Sequence, residues 1–272
     1  MMVKGDWQSA CLLDLERLLK PREEVLAIIQ YGSTARLTGP DQWSDIDLLI
    51  VVQSGTISSF VPDLTWAREL GRLFAYETYV YDSRSVARLC FEDFRRLDAV
   101  FTSPDRLADI GGWGKSYLSG PIGVRFCKDT NLLQYLSPTR RPEPPGLSPD
   151  EFDTMVNRFW FGLMVAGTKV VRNDLVIGLH LALEAAQTCL VLEMMLRDRR
   201  TGTNFHREGG GSNSLAEYFG GVKTRPGASG IFDLLDASAS AFDRLAGVWD
   251  PEYRRRGEPF AEWMQALREA LT

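Results

Sequence analysis

A chain of 272 residues, 44% apolar and 25% charged, can hold one large domain or two modest ones, each with its own core. The formal charge of −5 argues against a nucleic-acid partner, which would need a basic face, and suits a cationic small molecule. Cys11, Cys90, Cys127 and Cys189 stand far apart without CxxC spacing, so neither a zinc site nor a disulfide framework is expected. Residues 1–20 mix acids through their apolar positions and lack a signal-peptide core. No stretch approaches the roughly 20 apolar residues of a membrane span, and the expected location is the cytoplasm.

In chain order, residues 6–20 place Cys11, Leu12, Leu15, Leu18 and Leu19 at helical spacing, and Pro21 ends that helix. Residues 25–30 (VLAIIQ) are continuously apolar, as in a strand covered on both faces. Gly32 then permits a tight turn and close approach of backbone to a ligand. Ser33 opens a predicted helix over 33–37, whose amides and hydroxyl suit a phosphate, and Gly39-Pro40-Asp41 breaks it. The second strand, 45–52, carries Asp45 and Asp47 at its start. Acids two apart on a strand project from one face, while Ile46 and Leu48 take the other. Such a pair repels unless a cation sits between them. Mg²⁺ suits the place, since it takes carboxylate oxygens and shares its other positions with substrate phosphates. A plain turn before a strand would explain Ser44 and Asp45 but leaves Asp47 as a carboxylate inside a buried strand.

Residues 53–59 read as a polar loop, 65–73 as a helix, and 74–81 (FAYETYVY) as a third strand rich in aromatic and β-branched residues. Residues 83–95 show no decisive period, and a helix is the reading offered. Residues 96–101 form a short apolar run with Asp98 embedded; taken alone, such an acid sits at a strand's exposed end or on its wet face. Residues 124–128 suit an edge strand. Residues 138–149 (PTRRPEPPGLSP) hold five prolines and a glycine, which excludes regular helix and marks a linker between domains. Beyond it the pattern is helical, starting at Ser148-Pro149-Asp150-Glu151 with Phe152, Val156, Phe159, Trp160 and Leu163 turned to a core. A second helix, capped by Asn173-Asp174, runs through Leu179, Leu183, Ala186, Leu190 and Met194. Further helices are expected over 214–219, 229–246 and 259–271, with a loop at 202–213; a bundle results.

The pattern Gly32-Ser33 followed by Asp45-x-Asp47, within YGSTARLTGPDQWSDIDLLIVV, resembles the nucleotidyltransferase superfamily that includes DNA polymerase beta and kanamycin nucleotidyltransferase. The wording is most similar to bacterial streptomycin 6-adenylyltransferases and lincosamide nucleotidyltransferases. The resemblance implies an α+β chain: a nucleotidyltransferase domain over 1–137, with a small mixed sheet flanked by helices, the proline-rich linker 138–149, and an α-helical substrate-binding domain over 150–272. It implies a cleft between the domains, and AMP transfer from ATP to a hydroxyl of an aminoglycoside or lincosamide antibiotic with release of pyrophosphate. Asp45 and Asp47 would hold Mg²⁺, two ions in all, and Gly32 and Ser33 the terminal phosphates. The superfamily's third carboxylate falls on Asp98, as metal ligand or general base, with Glu77 as its rival. Arg36 would reach the triphosphate or is an exposed helix arginine.

In the helical half, related enzymes supply acids that bind the cationic drug, and Glu184, four residues after His180, is the candidate by position. His206, in Asn204-Phe205-His206-Arg207-Glu208-Gly209, is either a substrate contact or an ordinary loop residue. Lys169 and Arg172 complement a helix dipole or neutralise triphosphate. An exposed apolar helix face would allow a homodimer. No GxxxxGK[ST], GxGxxG, HExxH or GxSxG occurs, so kinase and hydrolase readings lose support. Two rivals stay open: a protein-adenylylating enzyme of toxin–antitoxin type, and a catalytically silent nucleotide-binding module.

Overall fold

The computed structural model describes residues 7–35, 40–112, 118, 120–136, 146–201, 219–220 and 227–270. The chain is α+β and divides into two compact units, Met1–Pro142 and Glu143–Thr272. Of the proline-rich stretch, 138–145 lies outside the described residues, as do Arg36 and His206.

In the first unit, helix α1 (Trp7–Leu19) precedes six strands: β1 (Val25–Tyr31), β2 (Ile46–Val52), β3 (Leu73–Val80), β4 (Ser85–Phe91), β5 (Arg96–Thr102) and β6 (Gly123–Cys127). The order across the sheet is β3-β4-β5-β2-β1-β6, with β2 and β5 parallel and the other neighbours antiparallel. The continuous apolar runs of β1 and β2 are explained by burial on both sides. On one face Ile28, Ile46, Leu48 and Ile50 share a core with Leu15 and Leu19 of α1 and with Phe60 and Trp66. Phe60 stacks on Phe101 at 5.0 Å between ring centres. On the other face Ile29, Leu49, Val51 and Val100 pack with Leu107, Ile110, Leu132 and Leu136 from two 3₁₀ segments, Pro104–Gly112 and Thr130–Leu136. Each such fully buried side chain contributes about 1.5–3 kcal/mol.

Three local expectations change. Residues 83–95 give strand β4 rather than a helix: the Tyr81–Arg84 turn reverses the chain, and β4 finds backbone partners in both β3 and β5. Residues 65–73 form only a 3₁₀ segment, Thr65–Leu70, ended by Gly71. The helix expected from Ser33 is, within the described residues, a single 3₁₀ turn, Gly32–Ala35. Over these described residues a phosphate would meet the amides of the turn itself.

The second unit contains α2 (Pro149–Val171), α3 (Leu175–Thr201), α4 (Ala228–Trp249) and α5 (Gly257–Glu269). A capping box starts α2: the Ser148 hydroxyl accepts from the Glu151 amide at 3.3 Å, and the Glu151 carboxylate accepts from the Ser148 amide at 2.8 Å. Phe152, Val156, Phe159, Trp160 and Leu163 are buried. Asn173, with φ +61°, reverses the chain, and Asp174 accepts from the Ile177 amide at the start of α3. On α3 the buried residues are Ala182, Ala185, Cys189, Leu192, Met195 and Leu196; of the expected face Leu179 and Ala186 pack against that core, while Leu183 and Leu190 are 53% and 49% exposed. His180, Glu184, Gln187 and Thr188 form a polar stripe at helical spacing, and the buried residues lie opposite it, a sign that the spacing of the leucines alone does not give. Contrary to expectation, one stretch of it, Leu175–Arg200, is long and apolar enough to cross a membrane by length and composition, its most apolar 18 residues having a mean hydropathy of 1.8. Its Cys189 lies in the bundle core, where burial pushes the thiol up to about 12.

Candidate functional site

Strand pairing assembles one row of polar side chains across the sheet. In register, Glu77 of β3 faces Arg88 of β4, Arg88 faces Asp98 of β5, Asp98 faces Asp47 of β2, and Asp47 faces Tyr31 of β1. Residues directly opposite in a ladder project from the same face. This is the face on which Leu49, Val51 and Val100 are covered; along the row Tyr31 is buried in that core, Asp47 and Asp98 are half-buried, and Arg88 and Glu77 are exposed. Asp45, two residues before Asp47, belongs to the same side. Asp98 is therefore one strand spacing, about 4.8 Å, from Asp47, whereas Glu77 is three spacings away, roughly 14 Å. Of the two rivals for third carboxylate, Asp98 is the neighbour.

The loop entering β2 is held from α1. Gln8, buried, donates to the carbonyls of Asp41 and Ser44 at 2.8 and 3.2 Å, and the Trp7 indole donates to Gln42 at 3.2 Å. Asp41 accepts from the Trp43 amide at 3.0 Å and the Ser44 hydroxyl at 2.8 Å, bonds that hold its carboxyl below the usual range. Sequence reading missed Gln8, a polar residue inside a helical apolar pattern. On the other side, the Gln30 amide donates to the Thr34 carbonyl at 2.7 Å and braces the Gly32–Ala35 turn. Gly32 has φ +73°, and a Cβ there would run into the Asp47 carboxylate. Turn and acid approach so closely that only glycine fits.

The charges are unevenly met. Arg88 donates through Nε to Asp98 at 3.0 Å and through a terminal nitrogen to Glu77 at 2.9 Å. Arg96 lies 3.5 Å from Asp45. Burial raises the Asp98 carboxyl above the ordinary value, the Arg88 bond and charge pull it down, and nearby Asp45 pushes it up again. The same contact raises Arg88, favouring its charged form. Arg88 is half in solvent, so burial outweighs its pull at the carboxylate. Arg88 was missed from sequence because its segment was read as a helix; the sign available was an arginine at an alternating position in SVARLCF.

Among the described residues no cluster of three or more His, Cys, Asp or Glu side chains is assembled to hold a metal ion. Magnesium does not demand one, since one or two carboxylates and substrate phosphates suffice. Asp45 and Asp47, on one side of one strand with a glycine turn against them, fit that donor set. The other candidates are elsewhere. His180 and Glu184 form an exposed pair at 3.4 Å on α3. Lys169 bonds Asp174 at 3.3 Å, and Arg172 caps α2.

Comparison with known proteins places the chain in a family. The model of the streptomycin adenylyltransferase family matches residues 16–207. An aminoglycoside 6-adenyltransferase from Bacillus subtilis is 12% identical, with 98% of this chain and 99% of that one covered at a TM-score of 0.37. A nucleotidyltransferase-like protein from Exiguobacterium sibiricum is also 12% identical, with 90% and 78% covered at a TM-score of 0.28. No curated protein is significantly similar in sequence.

Proposed function

The chain belongs to the streptomycin adenylyltransferase family and is a nucleotidyltransferase, and on that premise we propose that it transfers AMP from ATP to a hydroxyl of an aminoglycoside. The observation that supports this most is the in-register row of Asp47 and Asp98 with Asp45 beside it and the Gly32 turn against Asp47. Asp45 and Asp47 would hold Mg²⁺, which supplies charge neutralisation for the triphosphate and the developing pyrophosphate. The backbone of the Gly32–Ala35 turn and the Ser33 hydroxyl receive phosphate oxygens. Asp98 accepts the proton of the acceptor hydroxyl, the freed oxygen attacks the α-phosphorus, and the bond from that phosphorus to the bridging oxygen breaks to release pyrophosphate. A desolvated carboxylate with a raised pKa is suited to taking that proton, while Arg88 fixes its direction. Positioning of the two reactants supplies much of the remaining acceleration.

The test is pyrophosphate release with ATP and Mg²⁺ across a panel of aminoglycosides and lincosamides, with thermal shift on the same panel. Release with an aminoglycoside supports the proposal. Release with lincosamides alone moves the acceptor class. Stabilisation by ATP without any small acceptor favours a protein substrate, and no response to ATP overturns the reading.

A further inference from the structure

β3 is an edge strand whose two sides are both open. Tyr76 and Val80 are 62% and 69% exposed on one side, Tyr79 and Tyr81 41% and 50% on the other. Phe74, 64% exposed, rests on Phe94, 67% exposed, with ring centres 5.4 Å apart. Edge strands are ordinarily defended by lysine, proline, central bulges or short length. Residues 73–80 (LFAYETYV) contain neither lysine nor proline, their register shift is confined to Leu73–Ala75, and their single charge, Glu77, is already met by Arg88.

The hairpin turn tells which backbone groups are unused. The Tyr81 amide bonds the Arg84 carbonyl at 2.8 Å, so Tyr81 turns its backbone toward β4. Because antiparallel partners alternate, Ala75, Glu77 and Tyr79 do the same, and the amides and carbonyls of Tyr76, Thr78 and Val80 point out of the sheet's edge.

We propose that these groups pair with the same strand of a second copy, antiparallel and two-fold symmetric about Thr78. A two-fold axis normal to the sheet keeps each side chain on its own side, so only residues of equal parity can oppose each other. Three registers then use the strand well. Symmetry about Glu77 sets two carboxylates opposite each other, which is unfavourable. Symmetry about Tyr76 sets Glu77 against Ala75 and leaves Val80 and Tyr81 over. Symmetry about Thr78 sets threonine on threonine, Tyr76 against Val80, and Glu77 against the partner's Tyr79, all favourable pairs. The last repeats in trans a contact already made in cis, the Tyr79 hydroxyl donating to Glu77 at 3.1 Å. The partner's Tyr79 thereby meets the outer end of the carboxylate row, through Glu77 and Arg88. Edge-to-edge pairing of one strand makes a small interface, at the low end of specific ones, so weak self-association is expected.

The test is sedimentation equilibrium of the full chain over a micromolar concentration range under reducing conditions, for wild type and Thr78→Lys. The symmetric position turns one substitution into two facing ammonium groups, and a weakening of self-association by about tenfold or more is expected. Far-UV circular dichroism and melting of the variant confirm its fold. A second arm replaces Cys90 and Cys127 with serine and adds Thr78→Cys or Tyr76→Cys. Oxidation should cross-link the first and not the second, since only the first brings its Cα pair within disulfide reach. A wild-type chain that stays monomeric overturns the proposal. So does a dimer that Thr78→Lys leaves intact, or one cross-linked through Tyr76→Cys.

Discussion

Two aspartates, one in each unit, have opposite surroundings. Asp243 on α4 is buried and saturated: its carboxylate accepts from the Tyr253 hydroxyl at 2.6 Å, the Gly257 amide at 2.7 Å and the Arg256 amide at 3.1 Å. Trp160 of α2 donates to the same tyrosine at 3.0 Å, so α2, α4 and the start of α5 meet in one knot. Asp98 instead stands beside two further acids, with one guanidinium as its largest favourable partner. Neutral donors spread around a buried carboxylate satisfy it within the fold. Carboxylates gathered in a row raise the energy of the empty protein and are relieved when cations arrive. The difference lies in the partners and not in the residue type.

The sharpest separation should come from Asp45→Asn and Asp47→Asn. Each is expected to lower pyrophosphate release by about 10³-fold or more while leaving the melting temperature near that of wild type. Asp98→Asn should cost about 10²-fold or more in the same assay. Asp243→Ala should do the reverse. Loss of charged hydrogen bonds in a buried knot is expected to cost about 3 kcal/mol, read as a melting shift of roughly 10 °C, with the folded fraction still active. Full activity loss without destabilisation there would erase the distinction between the two acids.

Gly32→Ala lies between them. The left-handed backbone and the collision with Asp47 should destabilise by about 1–2 kcal/mol and slow turnover by about 10²-fold. The smallest effect is the thermal one of Asp98→Asn. Burial raises the Asp98 pKa in the folded state, so its ionised form costs stability above that raised value. The variant should therefore melt slightly higher than wild type at neutral pH. That gain should fade as pH falls from the raised value toward the ordinary carboxylate range, where both side chains are neutral. Melting curves between acidic and neutral pH check the sign.

Local chemistry made the motif legible. Gly32, Asp45 and Asp47 could be read from spacing because the turn, the strand and the acid pair sit within two dozen residues, and their period places both acids on one side. The capping box of Ser148 and Glu151 was equally local. Other features depended on partners remote in sequence. Arg88 and Asp98 acquire their meaning only when β4 and β5 lie side by side, and β5 joins β2 in parallel across a long connection. Gln8 matters because α1 reaches the loop before Asp45. The buried side of α3 was marked by the polar stripe His180, Glu184, Gln187 and Thr188 opposite it, which leucine spacing alone passes over. The sequence by itself determined that two acids stand on one side of a strand start beside a glycine turn, since spacing and strand period are local. Tertiary structure decided which third acid stands beside them and which arginine holds it, because register between strands comes from packing the whole sheet and not from any one segment.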